Sequence, residues 1–269
     1  MRHRIMLAAS LAFLAASAPA ADGELHTFHC LFGCPLGAPA TNDTVVREIY
    51  TLSSNDLTRM ADWVAYRVTR QSIGTSENRN WKTDPSLSAD EALTEDHYEG
   101  APDALHVDRG HQAPLAAFSG TEHAQETNIL SNITPQASAL NQGPWQRLEG
   151  RERRLARESD NAVFVLTGPL FERLMRPMPA APPVHRVPSG YWKIIALADG
   201  RVSAFVMDQN TPRRADFCAS RTTVAEIQLR SRLFIFPMLG DRQLSSLDSA
   251  LGCTTPSPAP AAPAEITTR

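Results

Sequence analysis

Four cysteines bracket this chain, and their placement limits what it can fold into. Cys30 and Cys34 stand near its start, and Cys218 and Cys253 near the end of its last apolar stretch. Four cysteines allow three disulfide connectivities. The spacing prefers Cys30–Cys34, closing a small loop, and Cys218–Cys253, tying the last element back to the body. A zinc site on the Cys-x3-Cys is the competing reading, and disulfides are favoured over it. Disulfides form in an oxidising compartment, and the start of the chain supplies the route. Residues 1–4 carry two arginines, residues 5–16 are apolar but for Ser10, and Ala18-Pro19-Ala20 offers the small residues that a signal peptidase accepts. Residues 1–20 are therefore expected to be a signal peptide, and the protein to be secreted, to the medium or the periplasm. No later run approaches the roughly 18 apolar residues that a membrane span needs, so no membrane partner is expected.

Residues 254–269 read TTPSPAPAAPAEITTR. Such a proline- and alanine-rich segment buries too little surface to order itself, and it is expected to be a disordered tail. The folded part is then residues 21–253, a length suited to one domain. The formal net charge is −3, so bulk electrostatic attraction cannot hold a polyanion. A phosphate-binding surface would have to be a local cluster. Lys82 and Lys193 are the only lysines; the other cations are arginines, which suit bidentate phosphate contacts.

Secondary-structure signals point to a mixed α/β (α+β) architecture. Alternation across residues 48–71 predicts two strands joined by a turn. Residues 80–98 form a long polar connection, and a short strand is expected before Asp108. Residues 121–130 suit a helix. Residues 142–159 suit one better, with Trp145, Leu148 and Leu155 as an inward stripe. The second half is strand-rich: residues 162–167 up to Gly168-Pro169, then 191–197, 202–207 and 232–236. The expected fold is a central, largely antiparallel sheet flanked by helices.

Two segments place reactive side chains among turn-forming residues. The first is Val107-Asp108-Arg109-Gly110-His111-Gln112-Ala113-Pro114. Its glycine permits close approach, and its histidine can accept a proton near neutral pH. The second runs from Leu130-Ser131-Asn132 to Leu140-Asn141-Gln142-Gly143-Pro144-Trp145, with Glu149 eight residues beyond Asn141 and so on roughly the same side. An isolated asparagine there would be a helix N-cap. His26, His29, His97, His106, His123 and His185 lack such a context and are expected on the surface or in the core. The chain has no Gly-x-Ser-x-Gly elbow, phosphate-binding Gly-x4-Gly-Lys loop or His-Glu-x2-His pair.

Asp108-Arg109-Gly110-His111 resembles the signature of the DNA/RNA non-specific endonucleases with a ββα-metal site. Further blocks, SENRNWKTDP (76–85), VDRGHQAPLA, LSNITPQ, LNQGPWQRLE, TGPLFER, DQNTP and ADFC, resemble the secreted bacterial members in the same order, from about Cys30 to Cys253. The resemblance implies a ββα-metal fold and hydrolysis of DNA and RNA to 5′-phosphorylated oligonucleotides. His111 would be the general base. Asn141 would be the one side chain bound directly to Mg²⁺ (Mn²⁺ substituting), and Glu149 a partner of the metal through water. Arg79 and Arg109 would neutralise and position the scissile phosphate, with Asn132 assisting. Asp108 would either orient the site or pair with a neighbouring donor. Relatives form homodimers, but no stripe here marks an interface. A non-catalytic binding protein on the same scaffold would not need the full set of site residues. An organellar relative would carry an arginine-rich transit peptide, whereas the apolar leader and paired cysteines here point to export.

Overall fold

The computed structural model describes residues 25–254 except 76–77, 160 and 183–184. The expected signal peptide and all of the tail but Thr254 lie outside the described residues. In chain order the strands are β1 (Asp43–Val46), β2 (Tyr50–Asn55), β3 (Met60–Val68), β4 (Val107–His111), β5 (Ile133–Ala137), β6 (Val163–Leu170), β7 (Gly190–Ala196), β8 (Arg201–Asp208), β9 (Arg221–Thr222) and β10 (Ser245–Ser246). The helices are α1 (Ala101–Leu105), α2 (Ser138–Leu140), α3 (Gln146–Glu158) and α4 (Val224–Ser231).

Alternation in β7 explains the layering. All seven of its residues are buried, and successive side chains in a strand take opposite faces. Tyr191 and Ile195 pack with Tyr66, Trp145, Leu148 and Phe205 on one side. Trp192, Ile194 and Ala196 pack with Trp63, Ile227 and the Cys30–Cys34 loop on the other. A strand buried on both faces belongs inside a sheet. The order is β1-β2-β3-β6-β7-β8-β10, with β9 also pairing β8, and every pairing is antiparallel except the short β8–β10 contact. Both expected disulfides are formed, with Cα–Cα distances of 4.9 Å for Cys30–Cys34 and 5.4 Å for Cys218–Cys253. No helix among the described residues is long and apolar enough to cross a membrane.

β4 and β5 make a separate two-stranded ribbon in which His111 faces Ile133 and Gly110 faces Thr134. A third apolar cluster (Tyr98, Val107, Leu130, Ile133) holds this ribbon, and α3 follows β5 to complete a ββα unit.

Several elements differ from the sequence expectation. The short strand contains Asp108–His111 rather than stopping before it. β6 continues through Gly168-Pro169 to Leu170, because its ladder with β3 has already ended at Thr167 and the proline's missing N–H faces no partner there. Residues 121–130 form 3-10 turns, not an α-helix. Thr127 Oγ1 donates back to Ala124 O at 2.7 Å, the local bonding that competes with a helical ladder. Residues 232–236 make only an isolated bridge, Leu36 with Phe234. Arg232 and Phe236 have φ of 62° and 59°, which no regular strand accommodates.

Candidate active site

A polar cleft of about 990 Å³ lies between β4, the start of α3 and the segment of Arg79 and Trp81, and it brings together Arg79, Asp108, Arg109, His111, Asn141 and Glu149. Gly110 allows the ribbon to form at all. A Cβ there would lie 2.6 Å from Gln136 Cβ, so the glycine admits a neighbouring side chain across the ribbon.

His111 is half-buried at the end of β4. Its Nε2 stands 2.8 Å from Asn128 Oδ1, and its ring tilts against Trp81 with centroids 5.4 Å apart. Burial pushes its pKa down to about 4; Asn128 opposes the shift and the Arg79 charge reinforces it. The imidazole is thus neutral at physiological pH, the state a base requires. The Trp81 segment is docked by main-chain bonds, Lys82 N to Asn128 O at 3.2 Å and Leu130 N to Lys82 O at 2.8 Å. Below it the buried Asp84 carboxylate accepts from both Arg47 and Ser131.

Asn141 is not an N-cap. It has helical angles and opens a π-helical turn, Asn141–Trp145, that bulges at Gly143 and Pro144 before α3. Its Nδ2 donates to Asp108 Oδ2 at 2.8 Å. Asp108 also accepts from Gln142 Nε2 at 2.9 Å and from Ser138 Oγ at 2.6 Å. Asp108 therefore orients the loop before α3. With Nδ2 held by a carboxylate, the amide oxygen of Asn141 is the atom left for a cation.

Glu149 projects from the first turn of α3, with its side chain 12% exposed. Burial raises its pKa to about 7 against the pull of Lys193. Beneath it lies a charge cluster that sequence reading missed. Lys193 Nζ sits 3.7 Å from Glu149 Oε1 and 3.0 Å from Glu152 Oε1, donates to Tyr66 Oη at 3.2 Å and lies 4.5 Å from the Trp145 ring centroid. Glu152 and Lys193 are both fully buried.

The other expected residues separate. Arg79 lines the cleft, exposed. Arg109 lines it too, but donates to Glu95 Oε2 at 3.1 Å and lies over the rings of Trp81 and Tyr98. Asn132 does not line it. Fully buried, it accepts from Ala113 N at 2.9 Å and donates to the carbonyls of Ala113 and Thr127, bracing the segment after His111. Arg153 is a wall residue absent from the sequence expectation. It sits one turn beyond Glu149, and its Nη1 is buried without a hydrogen-bond partner. The spacing Glu149–Arg153 could have signalled it, since residues four apart share a helix face.

The donor set suits a hard cation. The amide oxygen of Asn141 and the carboxylate of Glu149 are oxygen ligands of the kind Mg²⁺ takes, with its remaining positions left to water. Asp43, Asp56 and Glu91 also approach one another, but they do not line the cleft.

A β-ribbon and a helix walling one polar cleft, with a histidine on the ribbon and an amide and a carboxylate at the helix, form the ββα-metal nuclease architecture. The chain belongs to the DNA/RNA non-specific endonuclease family, which matches residues 33–236. It is 45% identical to the nuclease of Serratia marcescens over 257 residues, covering 94% of this chain and 96% of that one. It is 35% identical to human mitochondrial endonuclease G over 139 residues, covering 50% of this chain and 45% of the other. A solved EndoG structure, in complex with the inhibitor EndoGI, shares the fold with a TM-score of 0.64 at 22% identity, covering 78% of this chain and 92% of that one.

Proposed function

We propose that this protein is a secreted, Mg²⁺-dependent endonuclease that hydrolyses phosphodiester bonds in single- and double-stranded DNA and RNA to 5′-phosphorylated oligonucleotides. The observation that carries this reading is His111 sharing one cleft with the Asp108-oriented amide of Asn141. Removal of residues 1–20 on export, and the two disulfides, fit the oxidising compartment that the reading requires.

His111 acts as the base. Asn128 holds its Nε2, so the ring's Nδ1 takes the proton from the attacking water. Arg79 and Arg153 place positive charge along the cleft where negative charge develops on the phosphate oxygens. Arg109, held by Glu95 and two rings, adds a cation of fixed orientation. Asn132 acts as a positioning residue for the chain after His111. Asn141 and Glu149 would hold Mg²⁺, or Mn²⁺ in its place, which when bound supplies further charge relief at the phosphate. Contacts confined to phosphates carry no sequence information and leave unread the 2′-OH that distinguishes RNA from DNA, so both can serve.

The test is digestion of DNA and RNA with end analysis. 5′-Kinase labelling of the products only after phosphatase treatment is the expected result. Labelling without phosphatase would place the phosphate on the 3′ side and overturn the proposed bond cleavage.

A further inference from the structure

Arg213 stands on the loop after β8, exposed at the wall of the same cleft. Its Nη2 donates to Gln142 Oε1, while Gln142 Nε2 donates to Asp108 Oδ2 at 2.9 Å. Arg213 therefore lies one side chain further out from Asp108 than Asn141 does, on the far end of the Gln142 amide. No carboxylate among the described residues pairs with it. One neutral amide oxygen occupies a single donor of a guanidinium and leaves its charge uncompensated.

The loop beneath it is fixed. Arg147 donates from Nη1 to Arg213 O at 3.0 Å and from Nη2 to Ala215 O at 2.5 Å. Thr211 N and Oγ1 both bond to Asp208 O, at 3.0 and 2.7 Å. Asp216 Oδ1 accepts from the N–H of Cys218, a disulfide partner of Cys253, at 2.9 Å. On the inner side the loop touches the turn before α3, where a Cβ on Gly143 would lie 2.6 Å from Arg213 O. The turn that carries Asn141 thus sets the position of Arg213. Arg147, though exposed, has both terminal nitrogens on loop carbonyls and serves as a strut.

We infer that Arg213 binds a backbone phosphate of the nucleic-acid strand next to the one being cut, making the 209–216 loop a subsite for an extended strand. A pre-positioned, unpaired guanidinium at the rim of a cleft is suited to a phosphate dianion or diester. In a chain with a net charge of −3, substrate retention has to come from such local cations. The inference rests on the nuclease reading above and adds the residue that recognises strand beyond the scissile bond.

The experiment compares the mature protein with Arg213→Ala and Arg213→Lys on two substrates, long duplex DNA and bis(p-nitrophenyl) phosphate. The expected result for Arg213→Ala on DNA is a KM increase of about tenfold, the scale of one charge-assisted hydrogen bond. The slope of log KM against log salt should also shrink by about 0.9, the value for one lost phosphate contact. Arg213→Lys should keep the slope, because the charge remains. The loss on the small diester, which has no neighbouring phosphate, should be several-fold less. An unchanged KM and salt slope on DNA would overturn the inference. So would an equal loss on both substrates, which would put Arg213 at the scissile phosphate. Failure of the wild type on DNA would instead sink the nuclease reading itself.

Discussion

The Nε2 of His111 lies 2.8 Å from Oδ1 of Asn128, and this contact fixes which nitrogen of the histidine is free. Asn128 gives its Nδ2 to Gln125 Oε1 at 2.8 Å, and Gln125 gives its Nε2 to the main-chain carbonyl of Asn78 at 3.0 Å. A carbonyl only accepts, so the polarity of the whole chain is set from that end. Asn128 Oδ1 must accept, His111 Nε2 must carry the proton, and Nδ1 is left basic.

Asn128→Ala is expected to lower kcat about 3- to 10-fold, the equivalent of one hydrogen bond worth ~0.5–1.5 kcal/mol, with little change in KM. Asn128→Asp still accepts from His111 but adds a negative charge, which favours the imidazolium. Its activity should therefore fall off at a higher pH than the wild type's. Rate–pH profiles of the three proteins check this, and superimposable profiles would remove Asn128 from the base's support.

The same histidine sets the acid limb of the wild-type profile. A base must be unprotonated, and burial holds His111 near a pKa of about 4. At saturating Mg²⁺, activity should rise between about pH 3 and 5 and stay level from about 5 to 8, rather than titrating near the 6.5 of a free histidine. A limb centred at 6.5 would mean that His111 is far more solvated than it is in the fold.

Lys193 offers a stability test. It is buried between Glu149, Glu152 and Tyr66, so Lys193→Met strands the Glu152 carboxylate in the core. Breaking a buried pair from one side costs about 3–5 kcal/mol. Chemical denaturation should show a loss of that order, and Lys193→Met/Glu152→Leu should recover much of it. A single variant as stable as the wild type would contradict the buried ion pair.

How much of this was legible in the sequence follows from where each residue's partners lie. The disulfides, the paired strands and the ββα segments were readable because spacing, alternation and the Asp-Arg-Gly-His block are local signals. His111, Asn141 and Glu149 do share one cleft, as the family resemblance implied. Glu152 and Lys193 were not readable, since a glutamate within Arg151-Glu152-Arg153-Arg154 looks solvated. Only the register of α3 on β7, which puts Leu148, Glu152 and Ala156 inward, turns it into the core. Asn132 was expected in the site, yet its amide is used by the carbonyls and N–H of the adjacent turns, partners set by tertiary folding. The 232–236 stretch has a strand's composition, but positive φ at both ends excludes one, and no pattern of apolar residues reports φ.

The most direct test of the central claim is the Mg²⁺ dependence of plasmid DNA and total RNA digestion by the wild type beside Asn141→Ala, with EDTA as the zero point. The wild type should digest both substrates with Mg²⁺ and neither in EDTA, and Asn141→Ala should be inactive or need far more Mg²⁺ while remaining folded with both disulfides. Digestion of both substrates by Asn141→Ala at the wild-type rate and Mg²⁺ requirement would contradict a metal site built on that amide.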